Sequence, residues 1–185
     1  MIYYYYPFDD DESFLELLDE KIFIGEKTGV EPITFMYNQA GKYIRLIKGG
    51  DRLYIVAHGS TSGIGHGLNY NDSLTPSQLA NKLLQLKLTK EISDIRVFAC
   101  DSGLKHSMHI PSFAQRFKES MLSLGYKKVI VTGYLGQVYF SRDNRINKNF
   151  KLDKRQRKGI VPSPEVFQSY LSNEIFIASQ FKVKF

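Results

Sequence analysis

The apolar residues of this chain fall into short runs, broken by polar and glycine-rich stretches. Two runs organise the rest: Leu53-Tyr54-Ile55-Val56-Ala57-His58-Gly59 and Ile95-Arg96-Val97-Phe98-Ala99-Cys100-Asp101-Ser102-Gly103. Each is nearly continuous in apolar residues and stops on a reactive side chain followed by small or polar ones. That pattern predicts strands buried on both faces of a mostly parallel sheet. Residues 1–8 predict a first strand ended by Pro7, and Lys128-Val129-Ile130-Val131-Thr132-Gly133 predicts another. Ile33 to Tyr37 and Lys42 to Ile47 read as two strands joined through Asn38-Gln39-Ala40-Gly41, a hairpin signal.

Helical spacing appears elsewhere. Phe14, Leu15, Leu17, Leu18 and Ile22 predict a short amphipathic helix over 11–22. Thr75-Pro76-Ser77-Gln78 combines an N-cap threonine, a proline at the first helical position and a glutamine three residues after the cap. It opens a helix over about 76–87 lined by Leu79, Leu83, Leu84 and Leu86. Pro111-Ser112 opens another, with Phe113, Phe117, Met121 and Leu124 on one side and Gly125 as its stop. Residues 164–172 suggest a helix after Pro164, and 174–178 and 181–185 suggest terminal strands. The stretch 59–67 is too rich in glycine to hold one shape without contacts, and 66–74 read as turn-like. Strands alternating with helices imply right-handed βαβ units. The expected fold is a single α/β domain over residues 1–185, a three-layer sandwich with a mostly parallel central sheet and helices on both faces.

Composition adds limits. A chain of 185 residues is long enough for one domain with a sizeable core. A single cysteine excludes an internal disulfide framework. No apolar run approaches the ~20 residues of a membrane span. The start, Met1-Ile2-Tyr3-Tyr4-Tyr5-Tyr6-Pro7, lacks the basic and apolar regions of a signal peptide. The expected location is therefore the cytoplasm, or a host cytosol reached without a cleaved N-terminal signal. The net charge of +6 is unevenly placed. Residues 9–20 hold seven acids and no base, whereas 142–158 hold Arg142, Arg145, Lys148, Lys151, Lys154, Arg155, Arg157 and Lys158 against Asp143 and Asp153. Such a block reads either as a solvated loop or as a polyanion-binding surface.

Chemistry concentrates at the two strand ends. In parallel sheets, sites lie beyond the carboxyl ends of the strands. His58 and Cys100 would both emerge there, and a thiol beside an imidazole is a nucleophile with its base. The alternative for Cys100 is a buried small hydrophobe, and for His58 a hydrogen-bonded structural histidine. His58, His66, His106 and His109 show no metal-ligand spacing, and no metal is expected.

An apolar strand ending in His-Gly and a second ending in Ala-Cys resemble the caspase-like cysteine peptidases. These include caspases, legumains, gingipains, clostripain and the self-processing protease domains of large bacterial toxins. The His58-to-Cys100 gap is 42 residues, against about 50 in caspases. Ala99-Cys100 and the downstream Gly103 match the caspase Q-A-C-[RQG]-G pattern in part, and Phe98 stands where that pattern has glutamine. The resemblance spans roughly residues 50–136.

It implies a thiol endopeptidase acting on protein substrates through a His58/Cys100 dyad, in the manner of a bacterial toxin or effector protease. It assigns the oxyanion to the backbone N–H groups of Gly59 and Cys100. Gly133 and Tyr134 would line the specificity pocket with Phe98. In arginine-specific relatives an acid holds the place of Phe98, so cleavage after a small or apolar residue such as leucine is expected here, with Asp101 as the group that would favour a basic one. No cofactor is needed for the chemistry. The toxin relatives are switched on by inositol hexakisphosphate, for which Lys151, Lys154, Arg155, Arg157 and Lys158 offer a candidate surface; nucleic acid is not expected as a partner.

Two rivals stand beside this reading. One is a catalytically silent caspase-like fold used for binding or regulation. The other is a nucleotide-dependent reductase, because Ile55 to Gly65 resembles the glycine-rich loop of short-chain dehydrogenases with His58 in place of threonine. The Tyr-x-x-x-Lys pair of those enzymes has no counterpart here.

Overall fold

The computed structural model of the chain describes residues 1–8, 30–66, 69–140, 158–163 and 176–185. A six-stranded sheet forms its centre. The strands are β1 (Ile2–Tyr6), β2 (Ile33–Met36), β3 (Arg52–Val56), β7 (Asp94–Phe98), β8 (Ile130–Tyr134) and β12 (Lys182–Lys184), in the spatial order β12-β8-β7-β3-β1-β2. All neighbours run parallel except β12, which is antiparallel to β8. The chain leaves β1 toward β2 and returns to the far side of β1 as β3, so the order reverses between β1 and β3. From β3 it steps outward through β7 and β8.

The central strands are buried on both faces, which is why their sequences read as near-continuous apolar runs. Tyr3, Tyr5, Leu53, Ile55, Ile95, Val97 and Val131 point to one face, and Tyr4, Tyr6, Tyr54, Val56, Phe98 and Tyr134 to the other. On the first face lie α2 (Pro76–Gln85), through Leu79, Ala80 and Leu83, and α3 (Phe113–Ser123), through Phe113, Ala114, Phe117 and Met121. Their starts are the ones the sequence predicts. Thr75 Oγ1 accepts from Gln78 N at 3.3 Å while Gln78 Oε1 accepts from Thr75 N at 2.8 Å. Ser112 Oγ accepts from Gln115 N at 3.1 Å. Gly125 ends α3 at φ +92°, a left-handed conformation that suits glycine.

Two expectations change. The segment 37–46 is not the second arm of a hairpin. It forms a 3-10 turn, α1 (Ala40–Tyr43) and a second 3-10 turn, and β2 pairs in parallel with β1. Ala40, Ile44 and Ile47 are the buried positions, a helical spacing that the alternation of Lys42 to Ile47 conceals. The stretch after His58 is not irregular either. β4 (His58–Gly59), β5 (Ile64–His66) and β6 (Asn69–Leu74) form a small antiparallel sheet.

Among the described residues, the α-helices pack on one face. The other is covered by a third sheet, β9 (Gly136–Phe140), β10 (Lys158–Pro162) and β11 (Phe176–Ile177), with Val138, Ile160, Phe176 and Ala178 against Tyr4, Tyr54 and Phe98. The helices expected over 11–22 and 164–172 lie outside the described residues. Among the described residues, no helix is long and apolar enough to cross a membrane.

Candidate functional site

β3 and β7 are adjacent and parallel, with Val56 beside Phe98. His58 and Cys100 each lie two residues past their strand. Neither extends the main sheet: His58 begins β4, and Cys100 sits in the turn 99–104. Ser102 N donates to Ala99 O at 3.3 Å and Leu104 N to Asp101 O at 3.0 Å. Asp101 adopts φ +56°, a left-handed conformation that aspartate tolerates better than most residues.

The turn is held from below by Ser102, whose side chain is fully buried. Its Oγ donates to Val97 O at 2.8 Å and accepts from Tyr134 N at 3.1 Å. Gly103 N donates to Tyr134 O at 2.8 Å, Asp101 N to Gly136 O at 2.9 Å, and Ala114 N of α3 to Ser102 O at 2.8 Å. β7, β8, β9 and α3 therefore all fix the segment that carries the thiol.

The two strand ends meet through Gly59. A Cβ placed on it would lie 2.6 Å from Ala99 Cβ, 2.8 Å from Cys100 O and 3.1 Å from Cys100 N. The Gly59 backbone thus rests on the Ala99–Cys100 peptide, a distance only a residue without a side chain permits. The two backbone segments expected to supply oxyanion donors are side by side. His58, the neighbour of Gly59, is exposed and pairs with Gly65 across β4 and β5.

Cys100 is partly buried, and its Sγ donates to Val138 O on β9 at 3.8 Å. Burial pushes the thiol above its ordinary range, and the charge of Asp101 pushes in the same direction. Both effects favour the neutral thiol over the thiolate.

The expected pocket residues are enclosed. Phe98 and Tyr134 are each 2% exposed and pack edge to face, with ring centroids 5.1 Å apart, within the second core. Gly133 is pressed against Gly103: a Cβ on it would fall 2.7 Å from Gly103 Cα and 2.7 Å from Ala114 Cβ. Tyr134 ends β8 and Gly136 begins β9, so Leu135 alone separates two strands where a loop is expected. Asp101 is half-buried in the Cys100 turn. Of the basic residues, Lys158 opens β10, while Lys151, Lys154, Arg155 and Arg157 lie outside the described residues.

The sequence gives no sign of a second cationic group, on the β9–β11 side of the main sheet. Arg52 Nε lies 2.6 Å and Arg96 Nε 3.2 Å from Asp94 carboxylate oxygens, and Arg96 Nη1 donates to Tyr54 Oη at 3.1 Å. Burial lowers the Lys182 pKa, and Arg96 and Lys184 lower it further. Arg52 and Arg96 thus share the Asp94 carboxylate, and the charges of Arg52, Arg96 and Lys184 all reach Lys182. Among the described residues, no three His, Cys, Asp or Glu side chains are grouped to hold a metal ion.

The glycine stretch after His58 runs as a hairpin, not as the start of a helix, so the strand end lacks the helix N-terminus a dinucleotide pyrophosphate uses. Fold and site together define an α/β protein with a histidine and its one cysteine on adjacent parallel strand ends. No protein-family model, curated protein or solved structure matches the chain.

Proposed function

We propose that the chain is a caspase-like cysteine endopeptidase that hydrolyses protein substrates through Cys100 and His58, as a bacterial toxin or effector protease. The observation that carries this reading is the seat of Gly59 on the Ala99–Cys100 peptide, which joins the histidine segment to the thiol segment at one edge of a parallel sheet. In the reaction, Cys100 Sγ attacks the scissile carbonyl as its proton passes to the His58 imidazole. The Gly59 and Cys100 N–H groups receive the oxyanion. His58 then protonates the departing amine, and water, deprotonated by His58, cleaves the thioester and restores the thiol.

The contact of the Cys100 thiol with Val138 O ties the nucleophile to β9, so a ligand that moves β9 would change its setting. Two observations support a polyanion such as inositol hexakisphosphate in that role. The basic segment 142–158 joins β9, whose Val138 contacts the thiol, to β10. The Arg52, Arg96, Lys182 and Lys184 group supplies further positive charge beneath that sheet. A multivalent anion gathering these charges would shift β9 and with it the Cys100 contact.

The partial burial of Cys100 and its contact with Val138 O also favour a second reading, a catalytically silent fold of this type that binds without cutting. Incubating a broad peptide mixture with the wild type and Cys100→Ala, each with and without inositol hexakisphosphate, separates the two. Cleavage lost in the variant supports the peptidase and reveals the residue before the cut. An absence of cleavage in both states sinks it in favour of the silent fold. Equal cleavage with and without the polyanion at fixed salt removes that role for it.

A further inference from the structure

Arg116, one turn into α3, takes no part in the chemistry above. Its Nη2 donates to Thr61 O at 2.9 Å and to Ser62 O at 3.3 Å. Its Nε is buried without a hydrogen-bond partner, and no carboxylate pairs with it among the described residues. A partly buried cation ordinarily sits against an anion. This one is aimed at the carbonyls of a single turn.

That turn is bound together by its own hydrogen bonds. Ser60 N donates to Gly63 O at 3.0 Å, and Ser60 Oγ accepts from Ser62 N at 3.2 Å and Gly63 N at 3.3 Å. Gripping its outer carbonyls fixes the whole turn, and the turn continues directly from His58 and Gly59. A second hold comes from the loop after Cys100, where His106 Nδ1 lies 2.8 Å from Thr61 Oγ1. α3 is in turn tied to the Cys100 turn through Ala114 N and Ser102 O. The contacts close a circuit: Cys100 turn, α3, Arg116, the 60–63 turn, Gly59, and back to the Ala99–Cys100 peptide.

We propose that Arg116 is a positioning residue for the Cys100–His58 pair, holding the 60–63 turn so that Gly59 and His58 stay registered on the thiol. The inference rests on the peptidase reading for its catalytic consequence but not for its structural one. Arg116→Met keeps the apolar stem and removes the donors, and Arg116→Lys keeps the charge without the fork. The chain of 185 residues is followed by amide hydrogen exchange and by Cys100-dependent peptide cleavage.

In Arg116→Met, exchange at residues 60–63 should quicken at least about tenfold while α3 stays protected, and kcat should fall about ten- to a hundredfold with KM nearly unchanged, as for a misplacement of about an ångström. Lysine should recover part of kcat, and added methylguanidinium should recover part of it in Arg116→Met but not alter the wild type. Unchanged exchange overturns the proposal, as does a loss carried wholly by KM or a loosened turn with wild-type kcat. If Arg116→Met fails to fold, the same criteria apply to Arg116→Lys. A wild type without Cys100-dependent cleavage sinks the peptidase reading and the catalytic role together, and exchange alone then decides whether Arg116 holds the turn.

Discussion

Replacing Gly59 by alanine adds one methyl group, and the structure says where it goes. The new carbon would stand 2.6 Å from Ala99 Cβ and 2.8 Å from Cys100 O. Carbon atoms in contact settle at about 3.5–4.0 Å, so the β4 and Cys100 segments must part by roughly 1 Å. Gly59 is not among the residues at positive φ, so alanine can adopt its backbone and the whole effect comes from the contact. Overpacking of this kind costs about 1–3 kcal/mol. The same ångström falls between the proposed base and nucleophile, where it lowers turnover by about a hundredfold.

Gly63→Ala, in the turn that follows β4, is the control. Its nearest neighbour would be Leu74 O at 3.4 Å, so its stability should stay within about 0.5 kcal/mol of wild type. Urea unfolding of the three proteins reads the first quantity, as a lower midpoint at constant slope for Gly59→Ala alone. Peptide cleavage reads the second. A Gly59→Ala midpoint equal to that of wild type or of Gly63→Ala would refute the contact, and with it the joining of the two strand ends. The stability result stands or falls independently of any catalytic activity.

Other consequences can be checked alongside. Because burial holds the Cys100 thiol above its ordinary range, alkylation by neutral iodoacetamide should keep accelerating above about pH 8.5; a plateau at or below that pH contradicts the buried thiol. The same sign applies to folding: the stability linked to this group is complete below the unfolded thiol pKa and is lost as pH rises through the folded one. Ser102→Ala removes a buried hydroxyl and strands the Tyr134 N–H, which should cost about 1–3 kcal/mol in urea unfolding. Burial alone would raise the Asp94 pKa, but the hydrogen bonds and charges of Arg52 and Arg96 outweigh it and hold the carboxyl below its ordinary value. Its contribution is therefore present above the unfolded carboxyl pKa and fades as pH falls through the folded one. Asp94→Asn should cost about 1–2 kcal/mol near neutral pH, a figure discounted because the group is about a third exposed. It should also tighten binding of inositol hexakisphosphate in calorimetry; weaker binding would count against the cationic group as its seat.

Much of the frame is legible in the sequence because its signals are local. The capping box at Thr75, the Ser112 cap and the Gly125 stop each depend on residues within one turn. β1, β3, β7 and β8 are legible because burial on both faces leaves few polar residues in them. Lys42 to Ile47 fails because its apolar residues fit both a period of two and a helical one, and only the packing of Ala40, Ile44 and Ile47 decides. The small sheets are hidden for a different reason: glycine and asparagine carry little strand preference, and pairing alone makes strands of 58–59, 64–66 and 69–74. His58 and Cys100 stand out by their place at the ends of apolar runs. Ser102 and Arg116 do not, because their roles arise from chain segments that approach them only after folding.

The contact between Gly103 and Gly133 has a mechanical meaning. Backbone meets backbone there, with Ala114 and Val183 closing the sides. Side chains between two elements normally absorb small displacements by changing rotamer, as a compliant layer would. Here no such layer exists. A shift in the end of β8, or in β9 one residue beyond it, passes to the turn bearing Cys100 without attenuation. The thiol is thus rigidly geared to the β8–β9 corner, and substitutions far along that corner can retune it without touching it.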